Sequence, residues 1–151
     1  MVAVWSKLDE TCIRLALDLA KKQLGRTGTN PSVGCVLVQD GKIIGQGATA
    51  DGGRPHGEAM ALSSVLGDTN GATVYVTLEP CAHLSRRGPA CADRLIKAGI
   101  SRLVCCLADP DPRTAGSGFE RLRQAGIQVD VGLMAREGQV QIAEFVTFLR
   151  R

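Results

Sequence analysis

From residue 73 to residue 131 the chain alternates between strand-like apolar runs and helix-patterned segments, and this alternation limits its possible folds more than any other feature. Thr73-Val-Tyr-Val-Thr77 is dense in β-branched and aromatic residues and reads as a strand, and residues 90–98 read as a helix closed by Gly99. Residues 100–107 carry the next strand pattern, 117–125 the next helix with Gly126 behind it, and 127–131 a short strand. Strand–helix–strand units of this kind need a parallel sheet, because a connection long enough to hold a helix returns the chain to the same end of the sheet. The helices must then cover its faces.

The first half has a different grammar. Residues 8–24 place Leu8, Cys12, Leu15, Leu19 and Ala20 at helical spacing, with Asp9, Arg14, Asp18 and Lys21 opposite, and Gly25 follows as a stop. Residues 33–38 form a buried-strand run, Gln39-Asp-Gly41 a turn, and residues 42–46 a second extended stretch, which together predict a hairpin. Residues 56–66 have helical character, and 136–149 predict a closing helix. The expected class is therefore α/β, with a five-stranded mixed sheet that has an N-terminal hairpin and later parallel strands.

At 151 residues and 44% hydrophobic content, one domain covering 1–151 is expected, with no linker, repeat or low-complexity segment. A net charge of +3 without a long run of either sign gives no electrostatic case for nucleic acid, and 3% aromatics offers few stacking platforms. No segment reaches the roughly 18 consecutive apolar residues of a membrane span, and the first ten residues lack a signal-peptide core. A soluble, cytoplasmic protein is expected. In that setting the six cysteines are better read as thiols or metal ligands than as disulfides. Cys12, Cys35, Cys105 and Cys106 sit among apolar neighbours on helix or strand patterns and read as core residues.

The other two cysteines stand in loops. Cys81 follows Pro80 after the 73–77 strand, and Cys91 stands at the start of the 90–98 helix. One of only two histidines, His56, lies in Pro55-His-Gly-Glu58 at another helix start. Alone, a His-x-Glu at a helix start is an ordinary surface pair or cap. Joined to two helix-start cysteines it predicts zinc, because imidazole and thiolate are zinc's usual ligands and three protein ligands leave one tetrahedral position for water. A purely structural site would normally close with a fourth side chain. Glu58 is then placed to take a proton from that water and return it to a leaving nitrogen.

This set resembles the signature of the zinc nucleobase deaminases, His-x-Glu followed by Pro-Cys-x-x-Cys, except that nine residues separate Cys81 from Cys91. Read with its surroundings, the chain resembles the deaminase domain of the bifunctional riboflavin-biosynthesis enzymes, the diaminohydroxyphosphoribosylaminopyrimidine deaminases. The stretches that carry the resemblance are Asn30-Pro-Ser-Val-Gly-Cys35, Asp40-Gly-Lys-Ile-Ile-Gly-Gln-Gly47, Gly53-Arg-Pro-His-Gly-Glu58, Gly71-Ala-Thr-Val-Tyr-Val-Thr-Leu-Glu-Pro-Cys-Ala-His83 and Asp109-Pro-Asp-Pro112 with Gly116 and Gly118. The resemblance implies a three-layer α/β/α cytidine-deaminase-like fold and a substrate that is a pyrimidinone bearing a phosphorylated ribosylamino group. It also implies that Asn30 and His83 contact the substrate, that Arg86 or Arg87 stands near the sugar phosphate, and that the protein is a homo-oligomer whose reductase is a separate protein.

The sequence departs from the family pattern at three places. Cys81-Ala-His-Leu-Ser-Arg-Arg-Gly-Pro-Ala-Cys91 is one residue longer than the family's Cys-x-His-x-Gly-Arg/Lys-Thr-Pro-Pro-Cys, Thr49 replaces a histidine, and Gly57 replaces an alanine. Two other readings therefore stay open: a deaminase of the same superfamily acting on another nucleobase, nucleoside or metabolite pyrimidine, and a non-catalytic zinc-binding interaction module. Retention of Glu58 speaks against the second, since a structural site needs no proton shuttle. A tRNA-editing deaminase would need a more basic surface than +3 supplies.

Overall fold

The computed structural model describes residues 4–82, 88–112 and 114–150. In chain order they form α1 (Lys7–Gln23), β1 (Gly34–Gln39), β2 (Lys42–Ala48), α2 (Gly57–Ser63), β3 (Thr73–Val76), α3 (Cys91–Lys97), β4 (Arg102–Cys105), α4 (Ser117–Gln124), β5 (Gln128–Val131) and α5 (Ala135–Leu149). The five strands make one sheet in the order β2-β1-β3-β4-β5. The β1–β2 and β1–β3 pairs are antiparallel, and the β3–β4 and β4–β5 pairs are parallel. The hairpin, the mixed sheet and the α/β/α layering all match the expectation. The helices differ at their ends: α2 stops at Ser63, where the hydroxyls of Ser63 and Ser64 accept no further turn and instead donate to Ala59 O and Ala61 O.

Period-two alternation divides the strands between two apolar layers. Val36, Val38, Tyr75, Val104 and Cys106 face Cys12, Ile13, Ala16 and Leu17 of α1. Cys35, Leu37, Val74, Val76, Leu103, Cys105 and Val129 face the opposite way, onto Ala61 of α2, Ala92 and Leu95 of α3, and Phe119 and Leu122 of α4. Cys12, Cys35, Cys105 and Cys106 are thus buried free thiols within the core, as expected. Helix α5 lies beside α1, where Gln141 Nε2 donates to Leu17 O at 2.7 Å. Among the described residues no helix is long and apolar enough to cross a membrane.

The apolar stripe of α1 is displaced from the expected one. The pattern put Leu8 inward and Asp9 outward, but Asp9 is only 2% exposed and Leu8 is 38% exposed. The reason is electrostatic. The Asp9 carboxylate accepts from Ser6 N at 3.0 Å, completing a capping box in which the Ser6 hydroxyl accepts from Asp9 N. It also accepts from Tyr75 Oη at 2.8 Å on β3 and from both Arg102 terminal nitrogens, at 3.0 and 3.2 Å, on β4. Arg102 Nε donates in turn to Asp130 on β5 at 2.9 Å. One carboxylate therefore ties the first helix to β3 and β4, and through Arg102 to β5.

Burial alone would push the Asp9 carboxyl up, but the bonds from Arg102, the Ser6 amide and Tyr75 outweigh it and hold the group below the ordinary aspartate value. Removing one partner of such a buried pair strands a charge, so Arg102→Met should destabilise the protein by about 3 kcal/mol, read by denaturant unfolding. A carboxyl held low in the folded state contributes stability that is present above about pH 4 and is lost as pH falls through the lower folded value. The difference in melting temperature between the unaltered protein and Asp9→Asn should accordingly shrink on acidification below about pH 4.

Candidate metal and catalytic site

Three connections converge at one end of β1 and β3. After β1 and β2 the chain is drawn back to Val33, where Thr49 N donates to Val33 O at 3.0 Å and Val33 N donates to the Thr49 hydroxyl at 3.0 Å. That hydroxyl donates onward to Pro31 O at 3.1 Å, so all its bonding is internal. His56 then caps α2 in an extended conformation. At Gly57 a Cβ would collide with the Val33 carbonyl, so the glycine that replaces the family's alanine lets α2 begin pressed against the chain before β1. After β3, Thr77 N donates to Gly34 O at 3.1 Å and the chain passes through Pro80 to Cys81. Cys91 opens α3, and Ala92 N donates back to Cys81 O at 3.0 Å.

These placements bring His56, Cys81 and Cys91 together. His56 Nδ1 lies 3.4 Å from Cys91 Sγ, Cys91 N donates to Cys81 Sγ at 3.2 Å, and the three ligand atoms lie within 4.8 Å of one another. Tetrahedral zinc with Zn–S of about 2.3 Å and Zn–N of about 2.0 Å needs ligand separations of roughly 3.5–3.8 Å. One imidazole and two thiols at this spacing fit that ion, and the set is the one such cluster among the described residues.

The electrostatics point the same way. The hydrogen bond from Cys91 pulls the Cys81 thiol down to about 4 against the opposing effect of burial, with His56 adding to the pull. Cys91 moves up, because it keeps the proton it shares with Cys81 and is itself buried. His56 is raised by its hydrogen bond to Cys81. The anionic form is thus favoured at Cys81, whose sulfur accepts from the Cys91 amide that opens α3.

Glu58, in the first turn of α2, is 3% exposed, and burial lifts its carboxyl to about 7. It lines a cavity of about 190 Å³ with His56, Cys81, Asn30, Thr49 and Asp109. Asn30 is therefore beside the metal-ligating group, its Nδ2 donating to Gly53 O at 2.9 Å. His83, Arg86 and Arg87 lie outside the described residues. Sequence reasoning missed Arg54 and Glu79, which also line this cavity. Glu79 adjoins Pro80-Cys81, but its partners are 30 to 40 residues away, so no local pattern reveals them.

A mixed-sheet α/β/α fold with a His/Cys/Cys cluster at two helix starts and a buried carboxylate beside it defines a metal-binding protein of the zinc deaminase class. Residues 6–107 match the family model described as the cytidine and deoxycytidylate deaminase zinc-binding region, and the chain belongs to that family. The riboflavin biosynthesis protein RibD of Aquifex aeolicus is 46% identical over 143 residues, a match that takes in 95% of this chain and 40% of that protein. The structure of Acinetobacter baumannii RibD superposes with a TM-score of 0.86 at 41% identity, covering 95% of this chain and 40% of that one. The Thermotoga maritima structure titled a diaminohydroxyphosphoribosylaminopyrimidine deaminase/5-amino-6-(5-phosphoribosylamino)uracil reductase gives 0.85 at 40% identity, over 95% and 41%. The chain thus spans about 40% of the length of these relatives.

If the cluster holds zinc, purified protein should carry about one zinc per chain. Elemental analysis should show that content falling several-fold in His56→Ala, Cys81→Ser and Cys91→Ser, and unchanged in Cys12→Ala, whose thiol lies in the other apolar layer.

Proposed function

We propose that this chain is a zinc-dependent hydrolytic deaminase that releases ammonia from the phosphoribosylamino-pyrimidinone intermediate of riboflavin biosynthesis. The observation that carries the reading is the buried Glu58 carboxyl in one cavity with His56 and Cys81, two members of the His56/Cys81/Cys91 cluster. Identity of 46% with a protein named for riboflavin biosynthesis and of 40% with one titled a diaminohydroxyphosphoribosylaminopyrimidine deaminase/reductase, each over 95% of this chain, supports the substrate class.

His56, Cys81 and Cys91 hold the zinc. Bound there, zinc supplies the Lewis acidity that brings the ionisation of water close to neutral pH. Glu58 accepts the proton of the attacking water, whose oxygen bonds to the amino-bearing ring carbon, and delivers it to the nitrogen that leaves as ammonia when the carbon–nitrogen bond breaks. Burial opposes the charged form of this carboxyl, which favours a group that returns a proton as readily as it takes one. Asn30 holds the heterocycle through the side-chain oxygen left over from its bond to Gly53. The resemblance gives His83 a substrate contact and Arg86 or Arg87 the sugar phosphate.

A second substrate remains in view because of Thr49. Where the resembled family has a histidine, this hydroxyl is committed to Val33 and Pro31, so the cavity wall offers a substrate less. A cytoplasmic homo-oligomer belongs to the same proposal; the exposed apolar side chains Val140, Val146, Phe148 and Leu149 along α5 support self-association, which light scattering measures.

Zinc-loaded protein should release ammonia from the riboflavin-pathway pyrimidine, with cytosine, guanine, cytidine and their phosphates as comparisons. Glu58→Ala should lower the rate about 10²- to 10⁴-fold and keep its zinc. Ammonia from another member of the panel, with none from the pathway compound, would replace the substrate. Ammonia from none would remove the deaminase reading.

A further inference from the structure

We propose that Arg121 of α4 is a positioning residue that holds Ala82, next to Cys81, and Asp93, two residues after Cys91, at a fixed spacing. Arg121 Nη1 donates to Ala82 O at 2.8 Å, one residue after Cys81. Its Nε pairs at 2.8 Å with Asp93 Oδ1, two residues after Cys91. A single planar guanidinium thus spans the base of the loop, presenting separate donors to a carbonyl on one side and a carboxylate on the other.

A brace must itself be fixed, and α4 is. Glu79, two residues before Cys81 and 7% exposed, sends its carboxylate into the first turn of that helix. Oε1 accepts from Asp109 N and Gly116 N, both at 2.9 Å, and Oε2 from Gly118 N at 2.9 Å and Phe119 N at 3.2 Å. A Cβ at Gly118 would overlap the Pro80 carbonyl, so helix and loop meet backbone to backbone just before Cys81. The grip is reciprocal: a carboxylate from the cysteine segment enters the helix start, and a guanidinium from the helix returns to the segment one turn later.

Groups that orient ligand-bearing backbone, without touching the metal, typically shift metal affinity or activity 10- to 100-fold. The bracing of the zinc ligands stands independently of the reaction, whereas its effect on substrate rests on the deaminase reading. Arg121→Met keeps the aliphatic stem and removes both bonds, and the Arg121–Asp93 pair is exposed enough for the fold to tolerate its loss. Arg121→Lys restores one donor direction but cannot serve both partners.

The zinc-loaded proteins should be compared in the rate of zinc loss to a chelator, in KM and kcat for ammonia release, and in melting temperature. Arg121→Met should lose zinc about tenfold faster and raise KM about tenfold, with kcat within about twofold and melting temperature within a few degrees. Arg121→Lys should fall between. Zinc loss and KM both at the unaltered values would overturn the brace, as would a large fall in melting temperature accompanied by equal losses in kcat and 1/KM, which marks general fold support. If the unaltered protein releases no ammonia, the deaminase reading fails while zinc loss alone decides the brace.

Discussion

The functional end of the molecule depends on where α2 and α3 begin. A three-ligand zinc site tolerates errors of only tenths of an ångström, and the cluster that fits one here draws Cys81 and Cys91 from 25 and 35 residues beyond His56. The sheet solves this by making β1 the common partner of β2 and β3, so that the chain leaving β2 and the chain leaving β3 are both referenced to the residues around Val33 and Gly34. His56 and Cys91 then stand at helix starts whose direction is set by packing on the sheet. The same packing puts amides, and hence positive partial charge, toward the ligands.

Two buried carboxyls show how differently one fold can treat the same group. Asp9 is surrounded by a guanidinium, a phenol and an amide, stays ionised, and joins α1 to the strands. Glu58 is as deeply buried but has an anionic sulfur near it, and its proton comes off only near 7. Environment separates a fastening carboxylate from one able to exchange protons, just as their polar neighbours separate Cys81 and Cys91 from the thiols of the core.

Much of this was legible in the sequence because it is carried by local pattern. Period-two and period-3.6 alternation gave the strands and helices, and His56 and Cys91 at helix starts, with Cys81 in a loop after a strand, gave the metal cluster. Asp9 was misread because its pattern fits an exposed helix face equally well; its partners Tyr75 and Arg102, 66 and 93 residues away, draw it inward. Glu79 and Arg121 were missed because their partners lie 28 to 40 residues away and, apart from Asp93, are backbone atoms that leave no residue type to recognise. The early end of α2 was obscured by serines, whose hydroxyls compete with the helix for its carbonyls.

The nine residues between Cys81 and Cys91 close between ends that the rest of the molecule already holds, through Ala92 to Cys81 and through the Arg121 bridge. For a loop with fixed ends the entropy of closure grows only with the logarithm of length, and a ninth residue in place of the resembled family's eight adds about 0.1 kcal/mol. Length and composition there can drift at almost no cost to the metal ligands beneath. The spacing of the two cysteines is therefore set by the bonds at the ends of the segment and hardly at all by the number of residues between them.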